Sequence, residues 1–103
     1  MAQVYSVSEI TEKLRLIFGR TPVERAVLFG SYAKGRPGPS SDVDIVIDSR
    51  GMIKGIDFFG VLQDITEALD VPVDLIEASQ IVNGSRAERE IAETGIPIYE
   101  KTH

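Results

Sequence analysis

The chain contains no cysteine and only one histidine, His103, among its 103 residues. The lack of cysteine excludes disulfide bonds and any zinc site built from thiolates, and one histidine at the end of the chain is a poor metal ligand. A bound metal ion would therefore need oxygen ligands from other side chains. Oxygen ligands are the preference of Mg²⁺.

Long apolar runs and clusters of basic residues are also missing. No apolar run approaches the roughly 18 residues of a membrane-spanning helix. Residues 1–5 lack the basic and apolar regions of a signal peptide. We therefore expect a cytoplasmic protein that contacts no membrane. The net charge of −5 and the scarcity of clustered Lys and Arg argue against nucleic acid as a partner.

The apolar pattern predicts three helices and four strands. With 43% hydrophobic and 26% charged residues, the length favours one domain over residues 1–103. A first helix follows the capping box of Ser6 and Glu9 and stops at Gly19. The other predicted elements are helices at Ile56–Leu69 and Arg86–Glu93 and strands at Ala26–Phe29, Val43–Asp48, Val73–Ile76 and Ile96–Tyr99. This order predicts an α/β (α+β) fold, a small mixed β-sheet with helices packed on one face.

The second and third predicted helices differ in their side chains. Helical spacing places Phe59, Leu62, Ile65 and Leu69 on one face, which we expect to pack on the sheet together with Phe58. The third helix is rich in charge and predicts a solvated face formed by Arg86, Glu88, Arg89, Glu90 and Glu93.

Two acids, Asp42 and Asp44, lie two residues apart where the second strand begins. Because successive side chains of a strand point to opposite faces, both acids project from one face while Val43 and Ile45 project from the other. The apolar set must face the helices, which leaves the carboxylates on the open face. Mg²⁺ would relieve their repulsion and bridge to phosphate oxygens.

A third acid, Asp74, is predicted on the same open face. In its strand, Val73 and Leu75 should enter the core, and Glu77 has the opposite parity to Asp74. If this strand neighbours the one that follows Asp42, three carboxylates converge, enough to hold two metal ions and to accept a proton from an attacking hydroxyl. Asp74 is the better candidate for that base.

A glycine-bounded loop, Gly30 to Gly35, follows the first strand. Free backbone N–H groups at the start of a helical turn attract phosphate, and glycine lets the phosphate approach closely. We expect Gly30 and Ser31 to hold phosphate, with Lys34 or Arg36 neutralising its outer charge. The loop also nearly matches the P-loop of NTPases, but Arg36 and Pro37 stand where that motif needs Lys and Ser or Thr.

Taken together, these motifs resemble the DNA polymerase β-like nucleotidyltransferases, and among them the minimal nucleotidyltransferases (MNT). Gly30-Ser31, ten intervening residues, Asp42-Val43-Asp44 and the later Asp74 carry the likeness, which extends over nearly the whole chain to Gly95-Ile96-Pro97-Ile98-Tyr99. The resemblance implies a polymerase β-like fold and a Mg²⁺-dependent enzyme that uses ATP. It implies Asp42, Asp44 and Asp74 as catalytic metal ligands, and Gly30, Ser31, Lys34 and Arg36 as nucleotide-binding residues.

The acceptor of the nucleotide is predicted by family analogy. MNT proteins are commonly paired with HEPN-type toxins, which implies a type VII-like antitoxin that transfers AMP to a tyrosine hydroxyl of its partner. Because 103 residues leave no room for the helical domain of larger family enzymes, we expect another protein to form the far wall of the site. A non-catalytic antitoxin that acts by occlusion and an aminoglycoside-type enzyme remain open, as does self-association into a homo-oligomer.

Overall fold

The computed structural model of the protein describes residues 5–38 and 41–101. Residues 1–4, the pair Pro39 and Ser40, and the terminal residues Thr102 and His103 lie outside that description. No helix in the described ranges is long and apolar enough to cross a membrane.

In the described residues, four strands form one mixed sheet. They are β1 (Arg25–Phe29), β2 (Val43–Asp48), β3 (Val73–Glu77) and β4 (Ile96–Glu100), in the order β3-β2-β1-β4. Strand β1 pairs antiparallel with β2 and β4, whereas β3 pairs parallel with β2. The predicted fold class is confirmed, and each strand lies within one residue of its predicted bounds.

The part of the chain that the structure describes also forms three helices: α1 (Val7–Gly19), α2 (Ile56–Leu69) and α3 (Arg86–Thr94). A short 3₁₀ turn, Ala78–Gln80, follows β3 and was not predicted. The capping box at the start of α1 is present, because Ser6 Oγ accepts from the Glu9 N–H at 3.1 Å and a Glu9 carboxylate oxygen accepts from the Ser6 N–H at 2.9 Å.

The core lies between the sheet and helices α1 and α2. Alternate strand residues, among them Leu28 and Ile45, are fully buried together with Leu14 of α1 and Ile65 of α2. This is the period-2 pattern of a sheet with one covered face. Asp44 and Asp74 have the opposite parity and therefore lie on the other face, as predicted, whereas Asp42 precedes β2.

One prediction for α2 is wrong. Phe59 is 70% exposed, and the buried side chains of the helix are Val61, Ile65 and Leu69. These three residues are spaced by four positions and form one stripe, whereas Phe59 lies about 200° around the helix from Val61. Phe58 is partly buried against the core, as is Leu62.

Helix α3 lies against the face of the sheet that carries the aspartates. Its last residue precedes Gly95, where an added Cβ would lie only 2.9 Å from Val27 Cγ1 of β1. Val27 alternates with the core residues Ala26 and Leu28 and so projects from the opposite face. Helix α3 thus covers part of the face of the sheet that carries the aspartates, and the rest of that face is open.

Candidate functional site

A turn of five residues, 31–35, follows β1. It is closed by hydrogen bonds from the Lys34 N–H to the Gly30 carbonyl (3.1 Å) and from the Arg36 N–H to the Ser31 carbonyl (3.0 Å). Tyr32 is only 2% exposed and belongs to the core cluster, so the turn is fixed to the body of the protein. The side chains of Lys34 and Arg36 are exposed.

Gly30 has two structural reasons to be glycine. Its φ of +76° lies in the left-handed region, and a Cβ built on it would overlap the Asp44 carboxylate oxygen Oδ2. The missing side chain therefore gives Asp44 its place. The N–H of Gly30 donates to Thr94 Oγ1 at 3.0 Å. This amide is therefore already engaged, contrary to our expectation that it is free to donate to phosphate.

The aspartates are brought together by the pairing of β2 with β3. Asp44 is directly opposite Asp74 in the parallel ladder, and Phe29 is opposite Asp44 in the antiparallel one. Residues opposite each other on paired strands project from the same face. The condition set by the sequence, that the strand of Asp74 neighbours the strand after Asp42, is met. Asp42 and Asp74 are exposed, and Asp44 is partly buried.

Asp44 is destabilised in its charged form. Burial, followed by the nearby charges of Asp74, Asp42 and Glu90, raises the pKa of Asp44 from 3.8 to about 6. A carboxylate with few hydrogen-bond donors and with other acids nearby is stabilised when a cation or a proton binds to it. A positive charge near Asp44 would therefore relieve this repulsion.

The oxygen-only donor set suits a hard cation such as Mg²⁺. However, no three His, Cys, Asp or Glu side chains within residues 5–38 and 41–101 form a group that could hold a metal ion as they stand. The residues fit the ion in chemistry, and metal binding by Asp42, Asp44 and Asp74 stays a prediction.

A cavity of about 300 Å³ lies beside Asp44 and Asp74, and Asp42 is not among its lining residues. The sheet contributes Phe29, Asp44, Asp74 and Ile76 to its wall, and α3 contributes Arg86, Ala87 and Glu90. Arg86 Nε donates to Glu90 Oε1 at 2.9 Å. Sequence reasoning assigned both charged residues to a solvated face, which is wrong for Glu90, because its side chain is only 28% exposed. Spacing of i and i+4 predicts their contact, but only the fold shows which way it faces.

A larger cavity, of about 500 Å³, lies at the other end of β3 and does not include the aspartates. Its walls are mainly apolar and include Phe58, Phe59 and Leu75. Its acid, Glu77, is 4% exposed and accepts hydrogen bonds from the Ser49 N–H and the Ser79 N–H, both at 2.8 Å. We therefore place the chemistry at the smaller cavity.

Residues 7–98 match the model of a family described as "Nucleotidyltransferase domain". The chain belongs to this family. The matched segment contains the turn after β1, the pair Asp42 and Asp44, and Asp74. The resemblance stated from the sequence is confirmed.

Relatives of this nucleotidyltransferase domain occur in Methanocaldococcus jannaschii. One, named "Putative protein adenylyltransferase MJ0126", is 32% identical over 82 residues, which are 76% of this chain and 84% of the relative. Another protein of the same description, MJ0435, is 29% identical over 76 residues, which are 74% of this chain and 82% of the relative.

Solved structures share the fold of the domain. A toxin–antitoxin crystal structure with AMP-PNP has a TM-score of 0.72 at 22% identity and covers 95% of this chain and 76% of its own. A tri-AMPylated Shewanella oneidensis HEPN toxin in complex with MNT antitoxin has a TM-score of 0.63 at 21% identity, with 92% and 70% covered. At these identities the likeness concerns the fold.

Proposed function

We propose that this nucleotidyltransferase domain transfers AMP from ATP to a hydroxyl group of a partner protein and releases pyrophosphate. The observation that carries the proposal is the register of β2 and β3, which sets Asp44 opposite Asp74 beside a turn that begins at Gly30. A charged nucleotide needs both a place for its phosphates and a cation, and this end of the sheet offers residues for each.

The proposed roles follow from the positions of the residues. Asp42, Asp44 and Asp74 would hold Mg²⁺, and we propose two ions. Bound Mg²⁺ would supply charge that stabilises the reacting phosphates. Asp74 is exposed and would accept the proton of the attacking hydroxyl, whose oxygen bonds to the α-phosphorus as the bond to pyrophosphate breaks.

The turn after β1 would position the triphosphate. The amide of Ser31 is the candidate donor, because the Gly30 amide is engaged with Thr94. Lys34 and Arg36 are exposed on this turn and would neutralise the outer phosphates. Arg86 lines the cavity beside Asp44 and joins them as a candidate contact for the nucleotide.

A protein acceptor is supported by the relatives named as protein adenylyltransferases and by the neighbour with a tri-AMPylated HEPN toxin. We propose a tyrosine of a HEPN-type toxin as the acceptor and the present protein as its antitoxin, acting in the cytoplasm. The carboxylates end at an open cavity of about 300 Å³, which leaves them accessible to a side chain of a second protein.

The test is to incubate the protein with ATP labelled on the α-phosphate, Mg²⁺ and the proposed HEPN-type partner protein. We expect label on the partner, at a tyrosine located by mass spectrometry. D44N is the inactive control, since it keeps the shape of Asp44 and removes its charge. Absence of label, or equal labelling by D44N, would contradict the proposal.

A second candidate function is neutralisation of the toxin by occlusion. The exposed apolar side chains Ile56 and Phe59, 89% and 70% exposed, favour it because they offer contact area away from the carboxylates. Co-expression of the toxin with the double variant D42A/D44A separates the two functions. Growth without modification of the toxin would support occlusion, whereas renewed toxicity would support catalysis.

A further inference from the structure

A threonine at the end of α3 joins that helix to the turn that begins at Gly30. The Gly30 N–H donates to Thr94 Oγ1 at 3.0 Å, and the Thr94 hydroxyl donates to the Glu90 carbonyl at 2.6 Å. The two residues of the first bond are 64 positions apart in the chain. This contact is the tertiary hydrogen bond by which α3 holds Gly30.

The direction of these bonds fixes the role of the hydroxyl. A threonine hydroxyl has one hydrogen to donate and lone pairs to accept. Because its hydrogen is used on the Glu90 carbonyl, Oγ1 presents an acceptor to the turn. The Gly30 amide is thereby paired at a buried position, where an unpaired N–H would be costly.

The position of Thr94 is itself well determined. The next residue, Gly95, donates its N–H to the Ile91 carbonyl at 2.9 Å and approaches β1 so closely that a Cβ would lie 2.9 Å from Val27 Cγ1. The end of α3 therefore lies tightly against the sheet. The Thr94 hydroxyl is held in place with it and can restrain the turn.

The arrangement reaches the candidate site on two sides. Gly30 leaves the space that Asp44 Oδ2 occupies, so a shift of Gly30 moves the turn relative to that carboxylate. Glu90, whose carbonyl holds Thr94, also lines the cavity beside Asp44. The Thr94 hydroxyl thus connects α3 to the turn, and the turn contacts the Asp44 carboxylate.

We propose that Thr94 is a positioning residue, which fixes the turn after β1 against α3 so that its amides are aligned for the phosphates of a nucleotide. The proposal rests on the proposed function and deepens it. Thr94 touches no reacting atom, and it acts through the backbone of Gly30.

The variants T94V and T94S test the proposal. Valine keeps the shape of threonine without the hydroxyl, and serine keeps the hydroxyl. T66V is a matched control, because Thr66 Oγ1 donates to the carbonyl four residues earlier, that of Leu62, at 2.8 Å, in a helix that does not hold the turn. Exchange of the Gly30 amide is measured by NMR, and binding of AMP-PNP with Mg²⁺ by calorimetry.

We expect T94V to speed exchange of the Gly30 amide about tenfold and to weaken AMP-PNP about tenfold, the effect of one lost hydrogen bond. T94S should stay near wild type in both, and T66V should change neither although it loses a comparable bond. In the transfer assay, T94V should raise KM for ATP more than it lowers kcat.

Two results would overturn the proposal: T94V with wild-type exchange and affinity, or T66V weakening AMP-PNP as much as T94V does. If T94V does not fold, the wild-type protein decides, because an unprotected Gly30 amide contradicts the link. If the wild-type protein binds no AMP-PNP, the proposed function fails, and a protected Gly30 amide that T94V exposes would still establish the link to α3.

Discussion

Asp44 and Glu77 are carboxylates on neighbouring strands that the fold treats in opposite ways. Burial and three nearby acids raise the pKa of Asp44 to about 6. Burial opposes the ionisation of Glu77 as well, but hydrogen bonds from Ser49 and Ser79 outweigh it and hold the pKa of Glu77 below its ordinary value. Both side chains line cavities, so burial alone does not separate them.

The difference lies in the donors that surround each acid. Glu77 accepts from the Ser49 N–H, the Ser49 hydroxyl and the Ser79 N–H, and Ser49 Oγ in turn accepts from the Ile53 N–H at 3.0 Å. Its charge is satisfied by the protein and stabilises the fold. Within residues 5–38 and 41–101 no comparable set of donors compensates the charge of Asp44, and a carboxyl group with a raised pKa is a candidate for a functional role.

The largest expected effect is on catalysis. D44N should lower nucleotidyl transfer about a thousandfold, equal to about 4 kcal/mol of transition-state stabilisation, because it removes a charge that would hold Mg²⁺. E77Q, assayed well below its melting temperature, should retain transfer. Comparable losses in the two variants would show that Asp44 and Glu77 do not differ in function.

The second expected effect is on stability, where the substitution of Glu77 should be the more harmful of the two. E77Q should lower the free energy of unfolding by about 2 kcal/mol, since an amide cannot accept from all three donors. The melting temperature would then fall by about 10 °C for a domain of this size. Chemical denaturation at pH 7 measures the change, and an E77Q protein as stable as wild type would contradict a structural role.

The turn after β1 offers a matched pair of glycines. Gly30 and Gly35 have φ values of +76° and +73°, so alanine at either costs about 1 kcal/mol of backbone strain. Only at Gly30 would the added Cβ overlap Asp44, while Gly35 has nothing within 4 Å. We expect G30A to lose about 1 kcal/mol more than G35A and to impair transfer. Equal losses in thermal unfolding would show that Gly30 does not make room for Asp44.

The smallest effect is the dependence of stability on pH without divalent cations. Because the folded pKa of Asp44 is raised, its destabilisation is complete above about pH 6 and disappears as pH falls towards 3.8. After allowance for solvent screening, the effect is about 1 kcal/mol. As pH falls from 7 to 5, the melting temperature of the wild-type protein should rise relative to that of D44N.

Glu77 should contribute the opposite trend. Its stabilisation is present above its ordinary pKa of 4.5 and is lost as pH falls through the lower folded value. Below pH 4.5, wild type should therefore lose its advantage over E77Q. A constant difference between these two proteins across that range would contradict the charge of Glu77 as the source.

Much of the sheet and of the candidate site could be predicted from the sequence, because both depend on the alternation of side chains along a strand. Alternation along β2 and β3 assigned Asp42, Asp44 and Asp74 to one face. The observed register agrees for Asp44 and Asp74, whereas Asp42 precedes β2 and is outside the paired residues. Two features could not be read in the same way. The charges of α3 gave no hint that the helix covers part of the aspartate face. The hydrogen bond between Gly30 and Thr94 joins distant residues by a contact that no local pattern encodes.

The same limit explains the error at Phe59. A helix with apolar residues on several sides has more than one plausible buried stripe. The pattern of α2 allowed a face that included Phe59, and packing selected the stripe of Val61, Ile65 and Leu69. Periodicity gave the extent of the helix correctly, and tertiary contacts determined its rotation.

Strand β3 is at an edge of the sheet and is bonded there to β2. Edge strands open more readily than central ones, since fewer hydrogen bonds hold them. Asp74 is on β3 while Asp44 is on the interior strand, so partial fraying of this edge would separate the two acids without unfolding the remaining sheet. The distance between Asp74 and Asp44 therefore depends on how firmly this single edge remains paired.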